Sequence, residues 1–471
     1  MKRFSMAISA DAATATQTGR LYRRLWRWHF YAGLICLPFL ISLAVTGALY
    51  LFRNEIEDVV YRQQLFVVPP ADAAHAALLS PQRLVDAALA ARPGVARAWT
   101  GPSAPDRAAQ VDVAADDGVR QVFVDPYTGR VTGSIDSESR LMTVVKHIHS
   151  LALIGDGAKY VIEAVAGWLL VLVSTGLYLW WPRGRWGGAL TIRATPASRL
   201  WWRDIHAVCG LFAAVALVFL ALTGMPWSVF WGSRVNRALT DHGLGVPAAM
   251  WRQVPRSAVP TTALGDVPWT MGAERLPVSD EHAGHEGHEG HGPGAAPMVM
   301  ADKKTGPGLG LDQAEKAFRR LGLPAGYRLS LPGGPAGVYT ATVMPDAVAG
   351  QRIVHLDRYS GRVMADIAYA DFGPVAKVTE WGVSVHKGRE YGRLNQYVLL
   401  LACLMLIFLA ASGVLMYWRR RPRGKLAAPP RRDGDTVGKG IVVIGVVLGI
   451  MFPVLGASML LALAFDRLAS R

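Results

Sequence analysis

Five stretches of the chain carry no Asp, Glu, Lys or Arg: Phe30–Phe52, Ala164–Pro182, Ala207–Ser233, Leu394–Trp418 and Gly440–Phe465. At about 1.5 Å of rise per residue, a helix of any of them can cross the hydrocarbon core of a bilayer. The pattern predicts a mainly α-helical integral membrane protein with five transmembrane helices, at 29–52, 160–182, 207–233, 394–418 and 440–465. The first begins late and lacks a small-residue cleavage site, so it reads as a retained anchor and not a signal peptide. Between the helices the period shortens. Pro81–Ala91 and Leu311–Leu321 show amphipathic helical spacing and are followed by alternating, strand-like residues. The long connections 53–159 and 234–393 are therefore expected to fold as two small α+β modules.

Composition supports the membrane class, since 51% of the 471 residues are hydrophobic and 18% are charged, too apolar for a soluble enzyme of this length. The net charge of +15 would suggest nucleic acid as a partner in a soluble chain. Its location removes that reading. Residues 1–29, 183–206 and 419–439 hold 19 of the 50 basic and 4 of the 35 acidic residues, and the remainder is balanced. Short basic loops belong in the cytoplasm, so 1–28, 183–206 and 419–439 are expected inside and both long connections outside. No basic groove with interleaved aromatics is left for nucleic acid. Cys36, Cys209 and Cys403 all fall in apolar helices, where a thiol behaves as a small hydrophobe and leaves the exported modules no disulfide.

The chain repeats itself. Val124-Asp125-Pro126-Tyr127-Thr128-Gly129-Arg130-Val131 matches Leu356-Asp357-Arg358-Tyr359-Ser360-Gly361-Arg362-Val363, each reading as a tight hairpin in which Gly takes the positive φ. His29 precedes Thr46-Gly47 by 17 positions, as His206 precedes Thr223-Gly224. His149 precedes Thr175-Gly176 by 26 positions, as His386 precedes Ser412-Gly413. A unit of helix, outer module and helix thus occurs twice, and the fifth helix has no counterpart.

The repeat offers two histidine pairs, one near each membrane face. His29 and His206 begin parallel helices on the cytoplasmic side, and His149 and His386 precede helices on the outer side. Two neutral imidazoles from facing helices are what an axially ligated haem iron requires, and a bundle supplies an apolar slot for the macrocycle. His147 is the second choice to His149; it lies two residues away on another helical face, and Ser384 takes its place in the second unit. His75, His242 and His355 lack matched partners and are expected to be solvated. Glu163 is read as structural, and Arg183, Arg185 and Arg203 as topology determinants that could also pair with haem propionates.

Trp26-Arg27-Trp28-His29 with its Thr-Gly, Trp202-Arg203-Asp204-Ile205-His206, Gly176-Leu177-Tyr178-Leu179-Trp180-Trp181-Pro182 and the Asp-x-Tyr-x-Gly hairpins carry a family likeness. Over roughly residues 20–420 the chain resembles the PepSY-associated transmembrane proteins, some of which resemble bacterial inner-membrane reductases for ferric siderophores. The resemblance implies PepSY-like periplasmic modules and two b-type haems, one held by His29 with His206 and the other by His149 with His386. It also implies a haem-dependent ferric-chelate reductase of the inner membrane whose substrate is a ferric siderophore. With no Gly-x-Gly-x-x-Gly after a strand and no phosphate loop, the cytoplasmic or membrane electron donor is expected to be separate.

An insert at 281–291 places His282, His285, His288 and His291 at spacings of three in a Gly-rich loop, a composition that can bind Zn²⁺, Cu²⁺ or Ni²⁺. Met298 and Met300 follow and suit Cu(I). Two other readings stand beside the reductase. One is a non-enzymatic binding or regulatory membrane protein built on paired outer modules. The other is a copper- or metal-handling protein using the histidine loop, although the helices show no intramembrane acid pair or Cys-x-x-Cys.

Overall fold

The computed structural model describes residues 2–72, 76–182, 188–247, 250, 254–279, 308–421 and 439–468. Along the chain run α1 (Lys2–Leu51), α2 (Arg53–Val60), α3 (Arg62–Leu65), α4 (Pro81–Ala91), β1 (Val95–Thr100), β2 (Ala109–Ala115), β3 (Gly118–Val124) and β4 (Val131–Asp136). Then come α5 (Leu141–His149), α6 (Lys159–Trp180), α7 (Arg199–Gly224), α8 (Trp231–Asp241), β5 (Arg256–Pro260), β6 (Arg275–Pro277), α9 (Leu311–Arg320) and β7 (Arg328–Ser330). The rest are β8 (Tyr339–Val343), β9 (Arg352–Leu356), β10 (Val363–Ala368), α10 (Pro374–His386), α11 (Gly392–Arg420), α12 (Lys439–Met451) and α13 (Pro453–Leu468). They form two units: a helical one of residues 1–52, 145–235 and 385–471, and a sheet unit of 53–144 and 236–384.

In the helical unit, four helices among the described residues are long and apolar enough to cross a membrane: Leu21–Leu51, Asp156–Trp180, Arg199–Trp227 and Gly392–Arg420. They close into a ring, α1 packing on α6 and α11, and α7 packing on the same two. α1 and α7 therefore stand on opposite sides of the bundle. Its centre is filled by small and medium apolar side chains at helical spacing, among them Ala32, Cys36 and Leu40 of α1, Leu169 and Leu172 of α6, and Ala213 and Leu217 of α7. The helices run past the charge-free stretches at their basic ends, because arginine stems can lie along apolar surface while the guanidinium meets an aromatic face. Arg420 sits 4.4 Å over Trp26, and Arg24 5.7 Å over Trp28. His29 and His206 consequently lie inside their helices and do not begin them.

The fifth expected span is corrected. Residues 440–465 do not form one helix; the segment breaks at Phe452, giving 13-residue α12 and 16-residue α13. Pro453 opens α13, where its missing N–H costs nothing, and its ring disfavours continuation of α12. The backbone folds back until a side-chain carbon on Gly449 would lie 3.2 Å from the Gly456 Cα. This bent pair docks on α6: Leu455 packs into the space left by Gly167, and Trp168 Nε1 donates to Ser458 Oγ at 3.0 Å.

The sheet unit also departs from expectation. The two modules are not separate but share one antiparallel sheet, in the order β10-β9-β8-β7-β1-β2-β3-β4. β1 and β7 pair at Ala98 with Ser330, Trp99 with Leu329 and Thr100 with Arg328, which satisfies two edges that would otherwise present unpaired backbone groups. Arg328 Nη1 reinforces the joint by donating to Asp112 Oδ2 at 2.5 Å. Helices α4 and α9 cover one face with Leu84, Val85, Ala88, Leu311, Ala314 and Phe318 over a core including Val111, Val122, Leu329 and Val354. The β5–β6 hairpin, missed in the sequence, lies in the longer second connection.

The Asp-x-Tyr-x-Gly segments are structural. Asp125 Oδ1 accepts the Tyr127 N–H at 2.9 Å, Gly129 has φ +76°, and the Tyr127 hydroxyl donates to Pro105 O at 2.9 Å. At the other hairpin Asp357 Oδ1 accepts the Tyr359 N–H at 3.0 Å, Gly361 has φ +68°, and Tyr359 donates to Pro335 O at 2.9 Å.

His242 is exposed, as expected, and His75 lies outside the described residues. His355 is not solvated. It is fully buried in β9, its Nδ1 2.8 Å from Thr340 Oγ1, because the second face of this half of the sheet is also covered, by Val246, Met271, Phe372 and Ala376 around Ile353 and Ile367. Burial pulls its imidazole down to about 3. The unfolded chain then binds a proton that the folded chain refuses, so stability is full above about pH 6.5 and falls toward pH 3, by up to about 1.4 kcal/mol per pH unit. Thermal unfolding of the detergent-solubilised protein between pH 7 and 4 should show this fall, and His355→Asn, which keeps an amide beside Thr340 but cannot ionise, should reduce its slope; an unchanged slope would contradict this assignment.

Candidate cofactor site

The four histidines read from the sequence each meet a hydroxyl of another helix. His29 Nδ1 lies 2.9 Å from Thr175 Oγ1 of α6, and His149 Nδ1 lies 2.8 Å from Thr46 Oγ1 of α1. In the second half His206 Nδ1 lies 2.8 Å from Ser412 Oγ of α11, and His386 Nδ1 lies 2.9 Å from Thr223 Oγ1 of α7. Each half is thus clasped reciprocally, α1 or α7 giving a histidine and, 17 residues on, a hydroxyl, and the partner segment answering each with a hydroxyl and a histidine.

The hydroxyl protons settle the tautomer. Thr46 donates to Ser42 O at 2.6 Å, Thr175 to Val171 O at 2.7 Å, Thr223 to Phe219 O at 2.6 Å and Ser412 to Leu409 O at 3.1 Å. A hydroxyl has one proton. With it directed at the carbonyl, the oxygen accepts from Nδ1–H, and the unprotonated lone pair falls on Nε2. The glycine after each hydroxyl lies against the ring: a Cβ would be in ordinary contact at 3.6 Å from His149 Cε1 at Gly47, 3.5 Å from His386 Cε1 at Gly224 and 4.0 Å from His206 Cε1 at Gly413, and tight at 3.2 Å from His29 Cε1 at Gly176.

His206 lies within electrostatic range of His29, and His386 of His149. His29 and His206 come from the opposed helices α1 and α7. His149 and His386 end α5 and α10, the segments that lead into α6 and α11, which face each other in the same ring. Burial holds His149 down to about 4; burial, His149 and Lys387 hold His386 down to about 3, so both rings are neutral at physiological pH. Neutral imidazoles with an anchored Nδ1–H and an available Nε2 are a donor set that suits haem iron, and such a hydrogen bond is the usual support of a ligating histidine. The residues present fit the group.

His147 does not share this arrangement, since the Thr46 hydroxyl and the Gly47 contact both go to His149. Glu163 is structural: its carboxylate is buried and accepts the N–H of Phe230 at 2.9 Å and of Trp231 at 3.1 Å, capping α8. Arg203 is engaged with the buried Asp204 at 2.5 Å, which Arg193 also binds at 2.9 Å; Arg183 and Arg185 lie outside the described residues. So do His282, His285, His288 and His291. Among the described residues no group of three or more His, Cys, Asp or Glu is placed to hold a metal ion.

The family model for the PepSY-associated TM region matches residues 26–420. The chain belongs to that family. Comparison with the curated proteins returns no match. The match takes in all four clasped histidines of this PepSY-associated transmembrane protein and stops at the end of α11, before the bent α12–α13 pair. What the sequence reading missed was the role of the Thr-Gly and Ser-Gly steps. Their fixed spacing was visible, but it marks the partner of the histidine on the other helix and not of the one on its own.

Thr223→Val removes the acceptor of the His386 Nδ1–H without changing side-chain shape, and should lower stability by about 1 kcal/mol. Thr223→Ser should restore most of it. Thermal unfolding in detergent checks this, and a Val variant as stable as the parent would show that the clasp contributes nothing.

Proposed function

We propose that this protein is a b-type haem electron carrier of the bacterial inner membrane, and that it reduces ferric siderophores or related ferric chelates on the periplasmic side. Two opposed pairs of hydroxyl-clasped imidazoles, at two levels of one four-helix ring, carry this reading. Along α1 the levels of His29 and Thr46 are about 25 Å apart, most of the hydrocarbon thickness. Bound haem would supply a one-electron Fe³⁺/Fe²⁺ couple at each level. His29 with His206 and His149 with His386 would hold it through Nε2, while Thr175, Ser412, Thr46 and Thr223 keep each ring in the ligating tautomer. Cys36, Leu40, Leu169 and Leu217 pack the space between the levels and exclude water.

The chelated iron gains one electron and leaves as Fe²⁺, which oxygen-rich ligands hold less tightly than the smaller, more highly charged Fe³⁺. The electron comes from a separate cytoplasmic or membrane donor. The basic segments favour the inner side for the N-terminus and for 183–206, and hence the outer side for both long connections.

Absorbance spectra of protein purified from haem-replete membranes, oxidised and dithionite-reduced, test the reading. Wild type should give sharp reduced α-bands, and His206→Ala and His386→Ala should each lose about half of them. Absence of Soret absorption in the wild type would overturn it and leave a binding or regulatory role.

A further inference from the structure

The two halves differ beside their outer histidines. In the first half α1 continues unbroken past Thr46-Gly47 to Leu51, so Tyr50 remains in the helix; the residue after His149 is Ser150. In the second half α7 ends at Gly224, and Pro226 opens a single 3₁₀ turn, Met225–Trp227. Met225 is buried, whereas Trp227 is 45% exposed. Its ring centroid lies 5.8 Å from that of His386 at an interplanar angle of 53°, and the Lys387 ammonium sits 5.0 Å over the same indole. An exposed aromatic face, a cation and a histidine of the outer pair are thus contiguous in this half, and the corresponding positions of the other half supply neither the cation nor the indole.

We propose that Trp227 and Lys387 form the docking seat for an anionic, oxygen-ligated ferric chelate. The proposal rests on the reductase reading above and names the substrate class of its outer site. An ammonium over an indole is held by the ring on one side only and keeps N–H donors for carboxylate, catecholate or hydroxamate oxygens. The indole supplies a flat apolar surface for the chelator's backbone, and its contact with His386 sets the bound iron next to the outer pair. A cation there draws in a negatively charged complex and disfavours a positively charged one. Trp227 at a helix end could also serve only as an interfacial anchor, a role that is indifferent to the charge of Lys387.

The two are separated by binding of gallium citrate, an anionic and redox-inert analogue of ferric citrate, to the full-length haem-loaded protein, measured by equilibrium dialysis. Lys387→Glu should weaken binding roughly tenfold or more, Lys387→Arg should retain it, and Trp227→Leu should weaken it roughly threefold to tenfold. The reduced α-bands should be unchanged in all three. In stopped-flow oxidation of the dithionite-reduced protein, Lys387→Glu should raise the half-saturating concentration of ferric citrate while leaving that of a cationic ferric hydroxamate complex unchanged or lower. Normal haem spectra with equal gallium citrate binding in wild type and Lys387→Glu would overturn the docking seat alone. A wild type without haem absorption would overturn the reductase reading instead.

Discussion

An imidazole enclosed by a helical bundle must have its N–H bonded, because an unpaired polar group away from water is costly. In this protein that need governs the packing. The side chain that meets each ring is a hydroxyl on a neighbouring helix, and that hydroxyl in turn directs its own proton into the turn below it. Histidine and hydroxyl therefore form one device in which the hydroxyl orients the ring, and the glycine after each hydroxyl lies against that ring. Repeated four times, it joins the two helices of each half at two heights.

The arrangement also separates two tasks that a single residue could not perform together. Nδ1 serves the fold and Nε2 is left for chemistry. Because each clasp joins the two helices of one half, the opposed pairs bring together rings from different halves. Stability is thus supplied within a half, and the candidate site is assembled between halves of the helical unit.

Much of this was legible in the sequence. Charge-free stretches located four of the helices, and the 17- and 26-residue spacings singled out His29, His149, His206 and His386. α4 and α9 begin at Pro81 and Leu311, where the amphipathic pattern placed them. The failures have physical causes. Hydropathy does not register direction, so Pro453 between two glycines that touch went unread and one span was expected where the chain bends. Alternation within a strand does not reveal whether a second layer covers it, so His355 was placed in solvent. Nor does a local pattern say which strands meet, and the pairing of β1 with β7 was invisible for that reason.

That pairing has a bearing on how the molecule is made. Ala98 is translated long before Ser330, its partner across the sheet. Until the second connection has been made, the first is half a sheet with an open rim, and α4 lacks the neighbour that completes its apolar cover. Completion of the sheet therefore waits on synthesis of α6 and α7, which lie between the two connections in the chain. The order of synthesis is built into the topology: two long helices must be made before the sheet can close.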